Sequence, residues 1–300
     1  MQRKLLYFIN PISGTKNKKL LTGLIEKKSS IKKIAFEILH TNKEGVYSFL
    51  PEKILSDNIT DIIICGGDGT IKQITSHLLN CAVNIGVIPV GSGNGLALGA
   101  GIGVNINKAL DIIFNGKADY IDGFYINNSF GCMLTGVGFD AIVAYEFSKQ
   151  KKRGLFPYIK LSLFHFFKTK AYPFAIEINE NKLETKALFI SIANSNQFGS
   201  RIKIAPKATL SDGLLDVVVV NNKNKLFTAI SILKQISFGK IQTQEEVMKR
   251  NTNISYFHAE RLVIHNPALA PLHIDGEPAP TSSLIEIKII KKAFKLLQPL

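Results

Sequence analysis

The chain has 300 residues, 46% hydrophobic and 20% charged, which excludes disorder as its main state and suits two domains of roughly 150 residues each. Lys and Arg number 37 against 23 Asp and Glu, a net charge of +14, so polyanionic partners are expected: nucleic acid, nucleotide phosphates or an anionic membrane surface. Cys65, Cys81 and Cys132 are widely spaced with no CxxC pair, which argues against disulfides and zinc and for a reducing compartment.

In chain order, residues 4–9 form a short apolar run that ends in Asn10-Pro11, which reads as a buried strand and a loop. Residues 18–28 follow with helical spacing, and 34–39 read as a second strand. Ile62, Ile63, Ile64 and Cys65 form a third strand, stopped by Gly66-Gly67. Ile71, Ile74, Leu78 and Leu79 recur at helical spacing, and 85–89 form a fourth strand. Strand, loop, helix, strand is the signature of a parallel α/β sheet. The first ten residues are too soon interrupted to read as a signal peptide, and no run nears the roughly 18 apolar residues of a membrane span.

Beyond about Asp122 the texture changes. Residues 174–179, 187–193, 215–220, 262–265 and 284–290 are β-rich runs, with one helical stretch expected around 225–238. This predicts a mostly antiparallel β-sandwich or barrel. The expected division is 1–122 and 123–290, with a tail from about 290 to 300 returning to the first domain.

The sharpest local feature is Gly66-Gly67-Asp68-Gly69-Thr70, between a buried strand and a helix. Glycines there permit positive φ and close approach of a ligand, and the helix N-terminus favours phosphate. Asp68 beside phosphates suits Mg²⁺ or a ribose hydroxyl, while a plain helix cap is the simpler alternative. A second loop, Gly91-Ser92-Gly93-Asn94-Gly95, and a third, Asn10-Pro11-Ile12-Ser13-Gly14, also follow strands. Three such loops at strand ends within the first hundred residues form a constellation at the edge where α/β sheets bind ligands. There is no P-loop motif. Gly136-Val137-Gly138-Phe139-Asp140-Ala141 matches a loose dinucleotide pattern, but without a βαβ unit around it the match is not read as a cofactor loop.

Together with Asp275-Gly276-Glu277, Ile192-Ala193-Asn194, Ile204-Ala205-Pro206 and Asp212-Gly213-Leu214-Leu215-Asp216, these segments resemble the diacylglycerol kinase catalytic-domain superfamily of lipid kinases. The resemblance runs from residue 5 to about 290. It implies an NAD kinase/phosphofructokinase-like α/β domain and a β-sandwich domain, with ATP between them and Mg²⁺ required. Asn10, Pro11, Ser13, Gly14, Thr41, Gly66, Gly67, Asp68, Gly69, Thr70, Ser92 and Asn94 would border the nucleotide. Asp275 would be the general base, Glu277 would position nucleotide or metal, and Asp68 would act with the catalytic Mg²⁺. Asp212, with carbonyls of Thr209 and Leu214, would hold a structural metal, and Asp122 matches a position linked to the active site.

The family's bacterial members often carry Asp where this chain has Gly95; the loop here is closer to that of sphingosine kinases. A glycerolipid such as diacylglycerol is the first acceptor implied, and a sphingoid base or other long-chain alcohol the second. An NAD kinase-like enzyme and a basic nucleic-acid-binding protein are the competing readings; no nucleic-acid module supports the latter. An inactive family member is a further alternative, against which the retained Asp68 and Asp275 argue. Residues 149–170 place Lys149, Lys151, Lys152 and Arg153 before an aromatic-rich stretch and Lys168 and Lys170 after it. Such a stretch is either a surface for an anionic membrane or a core helix with basic ends. The expected setting is cytoplasmic with peripheral membrane association, and a homodimer is open.

Overall fold

A computed structural model describes residues 2–14, 18–150, 155–178, 181–197, 205, 207–221 and 254–300. The helix expected at 225–238 lies outside them, as do Ile204 and Pro206. The chain divides into two compact units, one formed by Met1–Ile121 with Lys292–Leu300 and the other by Asp122–Lys291.

The first unit alternates strands and helices: β1 (Lys4–Ile9), α1 (Lys18–Ile31), β2 (Ala35–His40), α2 (Leu50–Ser56), β3 (Asp61–Gly66), α3 (Asp68–Thr75), β4 (Asn84–Pro89), α4 (Gly95–Gly99) and α5 (Ile106–Asn115). The strands pair in parallel, in the order β2-β1-β3-β4, with Tyr7 opposite Ile63 and Ile63 opposite Gly86. Residues 5–9 and 61–66 are buried throughout, as expected of a parallel sheet covered on both faces. Gly86 is required by packing: a Cβ there would come within 2.6 Å of Ile63 Cδ1 and 3.0 Å of Ile113 Cγ1, so α5 lies close on β4. At the opposite end from the loops, Asp61 is buried and fully engaged. Arg3 bonds both its oxygens (3.0 and 2.9 Å), while Thr60 (2.6 Å) and Asn84 (3.1 Å) complete the set. A buried carboxylate is tolerable only with such partners.

The second unit begins within β5 (Lys117–Ile126), followed by β6 (Ser129–Gly131), β7 (Leu134–Gly138), α6 (Phe139–Ser148), α7 (Leu155–Lys168), β8 (Tyr172–Ile178), β9 (Asn181–Ala193), β10 (Leu215–Asn221), β11 (Ile254–Ala259), β12 (Arg261–His265), β13 (Leu272–Ile274), β14 (Glu277–Ala279) and β15 (Leu284–Gln298). Its pairings are antiparallel: β9 meets β8 along its first half and both β7 and β10 along its second. One face of these strands, through Ile190, Ile192, Val217 and Val219, joins a core with Ile176, Leu262, Ile285 and Ile287. The other face, through Leu188, Phe189, Val218 and Val220, packs with Phe139, Val143 and Phe166 of the two helices. The sequence pattern suggested few helices here. Burial of β10 and the second half of β9 on both faces explains why 217–220 is a continuous apolar run rather than an alternating one.

The run expected at 284–290 is longer in the structure. β15 extends to Gln298, and Lys295 and Leu296 pair in parallel with Asn84 and Ile85 of the first unit's sheet.

Candidate active site

In the first unit the three glycine-rich loops meet at the carboxyl ends of β1, β3 and β4. The ladder continues past the strands through Asn10 N–H to Cys65 O (3.0 Å), Val90 N–H to Gly66 O (3.1 Å) and Thr41 N–H to Ile9 O (3.1 Å). The loops then press together backbone on backbone. A Cβ on Gly91 would fall 2.4 Å from the Gly67 Cα, and one on Gly14, where φ is +61°, would fall 1.9 Å from Val90 O. Only glycine permits that approach. Asn10 Nδ2 donates to Thr70 Oγ1 at 2.8 Å, linking the first loop to α3, and Ser13 Oγ donates to Asn10 O at 3.4 Å. Pro11 and Ser92 are exposed at this edge, whereas Asn94 is buried.

Gly67 caps α3 in extended backbone, so Asp68, Gly69 and Thr70 form the first helical turn, whose N–H groups suit an anion. The Asp68 carboxylate turns to the second loop. Its oxygens accept the N–H groups of Gly95 (3.0 Å) and Leu96 (3.3 Å). Asn94, the residue at the α4 cap, has φ +54° and no capping side chain of its own, so Asp68 caps that helix from another loop. An ionised carboxylate has lone pairs beyond these two bonds, so the cap and a cation contact are compatible. Asn94 Nδ2 bonds Gly91 O (2.9 Å), and its Oδ1 is buried with no partner among the described residues. Lys18, which sequence reasoning missed, donates from its ammonium to Ser13 O and brings a cation to the first loop. The only signal for it was its place in the helical turn after a glycine loop.

In the second unit Asp275 and Gly276 form a two-residue turn between β13 and β14, with φ +51° and +79°. Both central residues have positive φ, a geometry for which Asp-Gly is favoured. Asp275 is 5% exposed, and its carboxylate accepts the N–H groups of Cys132 (3.0 Å), Met133 (2.9 Å) and Leu134 (3.0 Å). The Cys132 thiol lies 3.8 Å from the same carboxylate. Glu277 opens β14 and is half-buried, the more accessible of the two carboxylates.

Two supports beneath this turn were not legible in sequence. His273, fully buried, accepts the Gly276 N–H at Nδ1 (3.3 Å) and meets Asp140 Oδ2 through Nε2 (3.4 Å). An accepting Nδ1 places the ring proton on Nε2, facing the carboxylate. This accounts for the glycine pattern at 136–141. A Cβ on Gly136 would fall 1.7 Å from Asp140 Oδ2, and Gly138 has φ +106° where the chain enters α6. Asn194, also buried, donates to Asp122 O (2.8 Å) and Cys132 O (3.0 Å), joining the 122 region to the segment that holds Asp275.

The expected structural-metal residues lie on one loop. Gly213 N–H bonds Asp122 Oδ2 (2.8 Å), Leu214 N–H bonds Asp212 Oδ1 (3.0 Å), and Leu210 O accepts from Asp122 N–H (2.6 Å). Thr209 and Asp212 are exposed. Asp216 follows, and burial pushes its carboxyl up, opposed by Tyr256 and His258 and reinforced by the Asp212 charge. Asp216 Oδ2 is buried with no partner among the described residues. A hard divalent cation takes oxygen ligands, so an orphaned carboxylate oxygen near a second carboxylate fits one. Among the described residues no three such side chains form a group, so carbonyls such as those of Thr209 and Leu214 would have to complete a site.

Comparison with known proteins covers nearly the whole chain. Residues 4–126 match the family described as Diacylglycerol kinase catalytic domain, and 134–298 match the YegS C-terminal NAD kinase beta sandwich-like domain. A probable lipid kinase YegS-like from Shewanella frigidimarina is 27% identical over 84% of this chain and 80% of its own length. A diacylglycerol kinase from Staphylococcus aureus strain JH9 is 27% identical over 92% of this chain and 87% of its own. The fold is also that of a crystal structure titled a diacylglycerol kinase from Bacillus anthracis str. Sterne, with a TM-score of 0.74, 19% identity, and coverage of 99% and 97% of the two chains.

Proposed function

Since the chain belongs to the diacylglycerol kinase catalytic-domain family, we propose that it transfers the γ-phosphate of ATP to a hydroxyl of a membrane lipid, with diacylglycerol or a related glycerolipid as first choice. The observation that carries this reading is the contact of the three glycine loops, Gly14 on Val90 and Gly91 on Gly67, beside the first turn of α3. Phosphoryl transfer rests on positioning and charge neutralisation, which backbone N–H groups on a rigid edge supply. In this reading the nucleotide, as its Mg²⁺ complex, binds residues 1–122, with Asn10, Pro11, Ser13, Gly14, Thr41, Ser92 and Asn94 around it and Gly66 to Thr70 on its phosphates. The acceptor belongs to residues 123–290. Lys18 adds a cation beside the first loop, and Asn94 Oδ1, without a partner among the described residues, awaits a donor from the nucleotide.

Asp275 serves as the base and Glu277 positions nucleotide or metal. The Asp275 carboxylate has three backbone donors on it, so a hydroxyl must share one of its oxygens or the Asp275–Gly276 turn must shift. Its part is to orient the hydroxyl and take the proton late, in a loose transition state. A structural Mg²⁺ would be held by Asp212 with carbonyls of Thr209 and Leu214, and its charge would neutralise the carboxylates of that loop. The setting proposed is cytoplasmic at a membrane surface. Among the described residues no helix is long and apolar enough to cross a membrane.

A second acceptor class, a sphingoid base or other long-chain alcohol, draws support from Gly95, which stands buried at the start of α4 without a side chain. The deciding experiment measures phosphate transfer from labelled ATP to mixed micelles of diacylglycerol, monoacylglycerol, sphingoid base and ceramide, with NAD as a soluble control. Product on a glycerolipid supports the reading, product on a sphingoid base moves the acceptor, and product on NAD alone overturns the lipid assignment.

A further inference from the structure

The Asp275–Gly276 turn is held at both of its N–H groups. Asp275 N–H donates to Leu134 O at 2.7 Å, and Gly276 N–H donates to Nδ1 of His273 at 3.3 Å. In a two-residue hairpin turn the N–H of the second central residue has no place in the ladder, which closes here on Ile274 opposite Glu277. His273 supplies the acceptor instead. Its ring is fully buried, and its other nitrogen faces Asp140 Oδ2 at 3.4 Å, while Asp140 Oδ1 accepts the Ala141 N–H at 2.9 Å.

The surroundings argue that this pair serves the turn rather than the stability of the fold. On β13 the neighbours Leu272 and Ile274 belong to the apolar core, and His273 lies on the opposite face, against α6. There α6 brings Phe139 and Val143 to an apolar cluster. A buried imidazole and carboxylate need partners merely to break even, and well-packed apolar residues in place of such a pair are often neutral or stabilising. The pair also demands room. His273 stands opposite Gly136, where a Cβ would fall 1.7 Å from Asp140 Oδ2 and 2.8 Å from His273 Nε2. Glycine inside a strand weakens it. Gly136 on β7, Asp140 on α6 and His273 on β13 thus converge on one N–H, that of the residue next to Asp275.

We propose that His273 is a positioning residue for the transfer step: a neutral ring protonated at Nε2, oriented by Asp140, it fixes the Asp275–Gly276 turn so that the Asp275 carboxylate meets the acceptor hydroxyl. The role rests on the reading of Asp275 as the base. A backbone N–H can only donate, so Nδ1 is the accepting nitrogen and Nε2 carries the proton to Asp140. Loss of the Nδ1 acceptor frees the turn, and a displacement of about 1 Å at a reacting group is worth about 100-fold in rate.

Two substitutions separate this role from packing. An Asn amide oxygen reaches the place of Nδ1 and accepts the Gly276 N–H, whereas a Gln amide nitrogen reaches the place of Nε2 and keeps the bond to Asp140. His273→Asn should hold kcat within about threefold of the wild type, and His273→Gln should lower it about tenfold or more, each with an unchanged KM for ATP. The assay uses labelled ATP and diacylglycerol micelles, or whichever lipid of the panel the wild type phosphorylates, with melting temperatures read on the same samples. If kcat follows the melting temperature in both variants, or if His273→Gln keeps full turnover, the residue is packing alone and the proposal is overturned. Nitrogen NMR of the wild type labelled in its histidines, assigned with His273→Asn, tests the chain without catalysis. His273 should be the neutral Nε2–H tautomer; a ring protonated at Nδ1 overturns the proposal. If Asp275→Asn keeps its turnover while His273→Gln loses its own, the base reading falls and the hold on the turn stands. A chain that phosphorylates no lipid removes the kinase reading and the transfer role of His273 with it.

Discussion

The Asp68 carboxylate accepts the N–H groups of Gly95 at 3.0 Å and Leu96 at 3.3 Å, so the aspartate of one glycine loop caps the helix that follows another. The bond reaches across the carboxyl ends of β3 and β4 and makes the two loops one unit. Removing it should cost about 1 kcal/mol, the usual worth of a helix cap. Asp68→Ala is expected to unfold at lower urea by that amount and to bind ATP more weakly. Unchanged stability together with unchanged nucleotide affinity would show that the cap organises nothing.

The contact between Gly67 and Gly91 predicts a contrast between two glycine substitutions. Gly91→Ala puts a Cβ 2.4 Å from the Gly67 Cα, so the loops must part and nucleotide affinity should fall. Gly23, on α1, has nothing among the described residues within 4 Å of where a Cβ would stand, so Gly23→Ala should raise stability by about 0.5–1 kcal/mol without changing turnover. Nucleotide titration and urea unfolding of both variants read the two effects separately.

Asp275→Asn should lower turnover about 100-fold or more, as removal of a general base does. It also exchanges an acceptor for an amide against the N–H groups of residues 132–134, with an expected loss of about 2 kcal/mol of stability for one unpaired buried donor. Kinetics and unfolding must be measured on the same variant. Glu277→Gln, on the more accessible carboxylate, is the paired control. A larger loss of kcat in Glu277→Gln than in Asp275→Asn would transfer the base role to Glu277.

Tyr7 on β1 is buried, and burial pushes its hydroxyl up from 10.0 to about 12, with Ser29 opposing the shift. A group raised in the folded state contributes stability that is complete below its unfolded value and lost as pH rises through its folded one. The chain should therefore lose stability progressively between pH 10 and about 12. Tyr7→Phe should flatten that decline in urea titrations at increasing pH, and an identical slope in the variant would refute the assignment.

Much of this protein was legible in its residue order because the signals are local. Apolar runs at 4–9, 62–65 and 85–89, each closed by Gly or Asn-Pro, read as buried parallel strands with loops at their ends, since period, burial and turn chemistry are properties of neighbouring residues. The loop glycines stood out for the same reason: close backbone approach and positive φ admit few other residues. The tertiary structure decided what depends on residues far apart in sequence. The backbone donors that hold the Asp275 carboxylate lie more than 140 positions upstream, and Asp68 meets its partners 27 and 28 residues on. The apolar run at 217–220 of β10 could not announce a helical layer over its second face, because a strand buried on both sides carries no alternation. The aromatic stretch within 149–170 read as either a membrane surface or a core helix; among the described residues one side of the helix meets α6 and the sheet, while Phe156, Phe164 and Phe167 are exposed.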